Sequence, residues 1–180
     1  MKKRHETFVK IPEGVDCTYS DNLIECKKGE KHFSEKVNLP GTKIEVRDGK
    51  IIIICEKANR KDIKFIFSLV AHIKNAFKGM HEDFVYKLEV CNVHFPMTVK
   101  IDGDRVVINN FLGEKRERTA EIIQGAKVEI SGKDILVSSG DIEKAGQTAA
   151  NIEKATMVRA KDRRIFQDGI FITEKPKGAI

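Results

Sequence analysis

The chain has 180 residues, 41% of them hydrophobic, and sets 33 Lys and Arg against 27 Asp and Glu for a net charge of +6 and a pI near 9.1. That supplies apolar material for one ordinary domain or two small ones, and positive charge that favours polyanionic partners without requiring them. The longest greasy run, residues 51–55, is far short of the roughly 20 residues a membrane helix needs, which excludes a transmembrane helix.

The amino-terminal stretch places Lys2, Lys3 and Arg4 together, and with no apolar run after His5 a secretory leader is not expected. Cys17, Cys26, Cys55 and Cys91 make no C-x-x-C pair, so reduced thiols and a cytoplasmic setting are expected. The first strand pattern covers residues 22–26. A clear hairpin follows: residues 44–47, the turn pair Asp48 and Gly49, then residues 50–55. The apolar period then lengthens to about 3.6 through Ile63, Ile66, Val70, Ile73 and Phe77, an amphipathic helix whose start Asn59 and Asp62 can cap. Gly79 to Asp83 follow the helix as a short joint, and a new strand pattern begins at Val85.

Beyond that joint the chain repeats itself. Gly29, Glu30 and Lys31 recur as Gly113, Glu114 and Lys115, and Lys43, Ile44, Glu45 and Val46 recur as Lys127, Val128, Glu129 and Ile130. Residues 105–110 repeat the first strand, and residues 128–138, turning at Gly132 and Lys133, repeat the hairpin. Asp141 can cap a second helix whose apolar face, Ile142, Ala145, Ala149, Ile152 and Ala155, is mostly Ala and allows close packing. Its polar side carries Gln147 and Asn151 and reads first as a solvated face. The fold class expected is α+β: two tandem similar domains, residues 1–82 and 83–180, each an antiparallel β-sheet packed with one α-helix.

Chemistry is sparse. His5, His32, His72, His81 and His94 lack metal-ligand spacing, residues 125–133 imitate a phosphate loop with the wrong glycine spacing, and no G-x-S-x-G turn is present. Asp102 and Asp104 flank Gly103 in what reads as a hairpin turn. No enzyme activity, cofactor, metal or small-molecule substrate is expected. The functional signal is three basic clusters: the amino-terminal one; Lys115, Arg116 and Arg118; and Arg159, Lys161, Arg163 and Arg164, directly after the second helix. With no Trp and two Tyr, stacking platforms are scarce, so the expected ligand is folded RNA held by backbone and shape.

Three motifs carry a resemblance: residues 110–115 (Asn-Phe-Leu-Gly-Glu-Lys), residues 145–153 (Ala-Gly-Gln-Thr-Ala-Ala-Asn-Ile-Glu) and residues 166–170 (Phe-Gln-Asp-Gly-Ile). Together with the duplication they resemble the universal L-six family of large-subunit ribosomal proteins, in its archaeal and eukaryotic branch, over essentially the whole chain. The resemblance implies two similar domains, a place in the cytoplasmic ribosome near the stalk base and factor-docking region, and partners in large-subunit ribosomal RNA and neighbouring ribosomal proteins, with no membrane partner. It carries RNA binding onto Lys115, Arg116, Arg118, Arg159, Lys161, Arg163 and Arg164, onto Gln147 and Asn151, and onto the tail residues Lys175 and Lys177. The glycine- and lysine-rich tail of the bacterial branch is absent. The rival reading is a protein-interaction adaptor with incidental RNA contact.

Overall fold

The computed structural model describes residues 3–29, 31–37 and 41–178. Lys2 and Glu30, which figure in the sequence patterns above, lie outside them. Two compact units divide the chain, the first running to Glu82 and the second spanning Asp83–Lys177.

In the first unit, β1 (Lys3–Lys10), β6 (Lys50–Ala58) and β5 (Thr42–Arg47) form one antiparallel sheet in the order β1-β6-β5, while β2 (Asp16–Ser20), β3 (Leu23–Lys28) and β4 (Lys31–Lys36) form another. The β5–β6 hairpin turns at Asp48 and Gly49, whose φ values of 50° and 66° supply the left-handed pair that a tight hairpin with right-handed strand twist demands. Alternation on β6 sends Ile51, Ile53 and Cys55 inward against Ile66, Ile73 and Phe77 of α1 (Arg60–His81).

The start of α1 is capped as expected: Asn59 Oδ1 accepts from the Lys61 and Asp62 amides, and the Asp62 carboxylate accepts from the Asn59 amide. Its end differs from expectation, because the helix continues through Gly79 to His81. Burial of Met80 rewards the extra turn, and Lys31 Nζ donates to the Gly79 carbonyl at 2.9 Å, answering an otherwise free helix-terminal acceptor.

The thiols also differ from expectation. Strand register sets Cys17 directly opposite Cys26, and the two form a disulfide; Cys55 and Cys91 are free. The pairing lies across a hairpin, where motif spacing gives no hint of it.

The second unit repeats the plan. β7 (Phe84–Cys91), β12 (Asp134–Ser139) and β11 (Lys127–Ser131) match the first sheet, and β8 (Thr98–Asp102), β9 (Arg105–Asn109) and β10 (Arg118–Glu121) match the second. The β8–β9 hairpin turns at Gly103 and Asp104, as the sequence predicts. α2 (Ile142–Ala155) starts at Asp141, whose Oδ1 accepts from the Glu143 amide. Its small face does bring it close to the sheet: a Cβ on Gly146 would meet the Tyr86 hydroxyl at 2.8 Å. Thr148 is fully buried in this face, its hydroxyl accepting from the Ile123 amide at 3.1 Å.

The second unit also carries an addition. After α2 an irregular segment leads to β13 (Gly169–Glu174), which pairs antiparallel with β7 and makes the order β11-β12-β7-β13. Thr156 closes this segment. Its hydroxyl donates to the Glu153 carbonyl and accepts from the Ile170 amide at 2.8 Å, tying the helix end to the new strand.

Candidate nucleic-acid interface

The expected cationic residues separate into those that hold structure and those that face outward. Arg118, the first residue of β10, is the clearest of the first kind. Its guanidinium donates from Nε and Nη2 to the Glu114 carboxylate at 2.8 and 2.7 Å, donates from Nη1 to the Ala155 carbonyl at 2.8 Å, and lies 4.2 Å over the Phe111 ring. Those side-chain hydrogen bonds hold the Glu114 carboxyl below its ordinary value. A planar fork can make all these contacts at once, and an ammonium cannot.

The loop between Gly113 and β10 is thereby tethered to the last turn of α2. Lys115 and Arg116 sit in that loop, exposed, with no hydrogen bond or ion pair among the described residues. The third basic cluster leaves the same helix end, so Arg118 joins the roots of two cation-bearing segments 37 residues apart in the chain.

In the irregular segment, Asp162 builds a tight turn. Its carbonyl accepts from the Phe166 amide at 2.9 Å, its Oδ1 accepts from the Arg164 amide, and its carboxylate takes the Arg164 guanidinium at 2.7 Å. Hydrogen bonds from the Arg164 side chain, then from its backbone, lower the Asp162 carboxyl. Arg164 remains 89% exposed, so this pair is screened by water and open to exchange for another anion. Arg159 and Arg163 are exposed without partners among the described residues, and Lys161 Nζ rests 4.6 Å over the Phe166 ring.

Gln147, exposed, donates to half-buried Asn151 at 2.7 Å, and Asn151 donates to the Glu121 carbonyl at 3.1 Å, binding α2 to β10. Lys175 and Lys177 are exposed beyond β13. Arg4, from the amino-terminal cluster, pairs with Glu6 on β1.

Two residues that sequence reasoning did not single out organise the region. Asp168 is 1% exposed and accepts from the Val93 and His94 amides at 2.8 and 2.9 Å and from His94 Nδ1 at 2.6 Å. A carboxylate can only accept, so Nδ1 carries the proton. Burial would raise the Asp168 carboxyl, but the hydrogen bonds from His94 and Val93 outweigh it and the net shift is downward. The clamp fixes the β7–β8 connection against the start of β13 and stacks the His94 ring on Phe166 at 5.1 Å. The only sequence signal for it was the Phe-Gln-Asp-Gly-Ile motif that carries the resemblance.

Comparison with known proteins identifies the family. The sequence model described as Ribosomal protein L6 matches residues 95–169, which hold most of the cations above. Over 175 residues the chain is 40% identical to the large ribosomal subunit protein uL6 of Methanosarcina mazei, covering 97% of this chain and 99% of that protein. The chain belongs to the uL6 family. That family, here in its archaeal type, consists of structural ribosomal proteins and not enzymes. In this uL6-type chain, Arg118, Asp162 and Asp168 pin the loops that carry the exposed cations. No helix in the described residues is long and apolar enough to cross a membrane.

Proposed function

We propose that this chain is a structural constituent of the large ribosomal subunit, resident in the cytoplasmic ribosome, and that its second unit grips large-subunit RNA by neutralising phosphates. The supporting observation is that two cation-bearing segments leave one anchored helix end, with Lys115 and Arg116 on one and Arg159, Lys161, Arg163 and Arg164 on the other. Arg118, Gln147 and Asn151 act by positioning those segments, and Lys175 and Lys177 extend the charge beyond β13. Resemblance to the family supports a location near the stalk base and factor-docking region, with neighbouring ribosomal proteins as further partners.

Salt dependence tests the mechanism, since each phosphate contact removed lowers the slope of log K against log salt by about 0.7–0.9. The double substitution Arg163→Ala with Arg164→Ala should reduce affinity for large-subunit RNA and flatten that slope while the protein stays folded. Unchanged affinity and slope would remove the cluster from the interface. A chemical footprint tests the location: protection confined to RNA away from the stalk base would overturn it. If the chain were instead an adaptor, a high-salt wash would strip it from the large subunit.

A further inference from the structure

Beside the basic turn, the second unit holds a half-open groove of about 710 Å³, bounded by the end of α2, the irregular segment, the end of β7 and the start of β13. Phe171, Phe166 and Met157 give it an apolar lining, and Lys154 and Arg163 stand at it with exposed cations. Met157 is 48% and Val93 is 65% exposed at this groove, a cost in apolar hydration that the unit's own core does not relieve.

The lining is built rather than incidental. Phe171 lies across Gly169 so closely that a Cβ there would meet its Cζ at 3.0 Å, so the ring position depends on glycine. Phe166 is backed by His94, which the buried Asp168 holds in place. The two bordering carboxylates are spent on the fold: Asp168 takes the Val93 and His94 amides, and Glu153 Oε1 takes the Ile172 amide at 3.2 Å. Both keep their negative charge, but Asp168 is buried and Glu153 half-buried, so the exposed charges at the groove, those of Lys154 and Arg163, are positive.

We propose that this groove receives one unstacked nucleotide of the bound RNA, its base against the Phe166, Phe171 and Met157 side chains and its phosphate on Arg163 and Lys154. This rests on the RNA-binding reading above. An apolar aromatic floor beside exposed cations matches a heterocycle carrying a phosphate, and the volume lies within the range of small-molecule sites. Bulged and looped bases are the parts of folded RNA that stack on protein side chains. Arg163 belongs both to the groove and to the basic turn, so a strand following the turn's cations passes the groove mouth. Exposed rings also occur at Phe8, Phe65, Phe67 and Phe95; what distinguishes this groove is a concave lining that places two rings beside Arg163 and Lys154.

Two measurements test it. In a titration of the full chain with adenosine 5′-monophosphate, the amides of Met157, Phe166 and Phe171 should shift saturably in NMR spectra, while ribose 5-phosphate at equal concentration leaves them unmoved. Equal shifts from both would mean the groove senses only phosphate and would overturn the proposal. With large-subunit RNA, Phe166→Ala should weaken binding about 5- to 150-fold, and Met157→Ala less, each without changing the salt slope, because a stacked base releases no counterions. Met157→Ala, at an exposed position, and the nucleotide titration keep the test decisive should Phe166→Ala fail to fold. Wild-type RNA affinity in both folded variants would sink the groove and spare the RNA-binding reading; a wild-type chain that ignores the RNA in dilute salt would sink the wider reading. Defective subunit assembly with unaltered RNA affinity would assign the groove to a neighbouring protein and overturn the nucleotide.

Discussion

Asp168→Ala is the perturbation with the largest expected consequence, because a single buried carboxylate organises both the β7–β8 connection and the ring behind the groove. It removes three hydrogen bonds to an ionised acceptor. Such bonds contribute about 1.5–3 kcal/mol each when the donors are left dry. Val93 and His94 have exposed side chains, so water can reach their amides and about 1 kcal/mol each is the better figure, or about 3 kcal/mol in all. In a unit of this size that corresponds to a fall in Tm of about 12–24 °C for the second unit's transition. Amide hydrogen exchange gives the local readout: protection at Val93 and His94 should drop about 100-fold, the factor that about 3 kcal/mol represents. Asp168→Asn keeps an oxygen for the two amides and loses the charge, so it should cost about half as much. If both variants exchanged like the wild type at Val93 and His94, the clamp would have no energetic content and its role in positioning Phe166 would fall with it.

The same carboxyl sets a pH dependence. Its folded-state titration lies below the ordinary range, so its stabilising contribution is complete above about pH 4 and is lost as pH falls through the lowered folded value. Acid unfolding of the second unit should therefore be shallower in Asp168→Asn than in the wild type, which fluorescence or circular dichroism against pH would show; identical profiles would contradict the assignment.

Arg118→Ala should destabilise the second unit by about 2 kcal/mol, summing a carbonyl hydrogen bond, a cation–π contact and a solvent-screened ion pair, and Arg118→Lys should rescue less than half; urea midpoints check both. Lys115→Ala, by contrast, should leave the midpoint unchanged and lower RNA affinity. Gly146→Ala pits a gain in helix propensity of about 1 kcal/mol against collision with Tyr86, so it should destabilise the wild type and become much less costly in a Tyr86→Phe background; equal effects in the two backgrounds would deny the contact. For the disulfide, thiol titration of the unfolded, unreduced protein should count the two free cysteines Cys55 and Cys91, and reduction should lower stability of the first unit by about 2–3 kcal/mol. Four titratable thiols before reduction would refute the Cys17–Cys26 bond.

What the sequence disclosed follows from where the governing interactions lie along the chain. Helix periodicity, the Asn59 and Asp141 caps and the Asp48–Gly49 turn depend on neighbours within a few residues, and each was legible. β2, β4 and β10 were not, because they are short, half-exposed strands in which residues such as Lys31 and His32 interrupt the apolar alternation, and β8 showed only through its turn at Gly103. Gly79 looked like a helix terminator, yet Lys31, 48 residues away, helps carry α1 past it. Basic clusters were visible as composition; that Arg118 is consumed by Glu114, Phe111 and Ala155 while Lys115 stays outward is a property of the folded loop.

The duplication separates what the two units share from what the second adds. Six strands and a helix of the first unit have counterparts in the second, so those elements answer to the shared demand of closing a core between two sheets and a helix. What the second unit has in excess is a longer β9–β10 connection, residues 110–117, and the irregular segment after α2 with β13, and this last addition is stitched down by Thr156, Asp162 and Asp168 rather than left loose. Ordering a dozen irregular residues costs about 1–2 kcal/mol each in backbone entropy, and the segment returns little to the core: Met157, Ile165 and the four cations from Arg159 to Arg164 all face outward. A stretch held so firmly while burying so little fits the RNA-binding role proposed above. On that argument, deleting residues 157–168 and bridging the gap with a short Gly-Ser linker should weaken RNA binding more than any single substitution while the two sheets and α2 still fold, as read by circular dichroism; a deletion that kept wild-type RNA affinity would show the ordered addition to be structural after all.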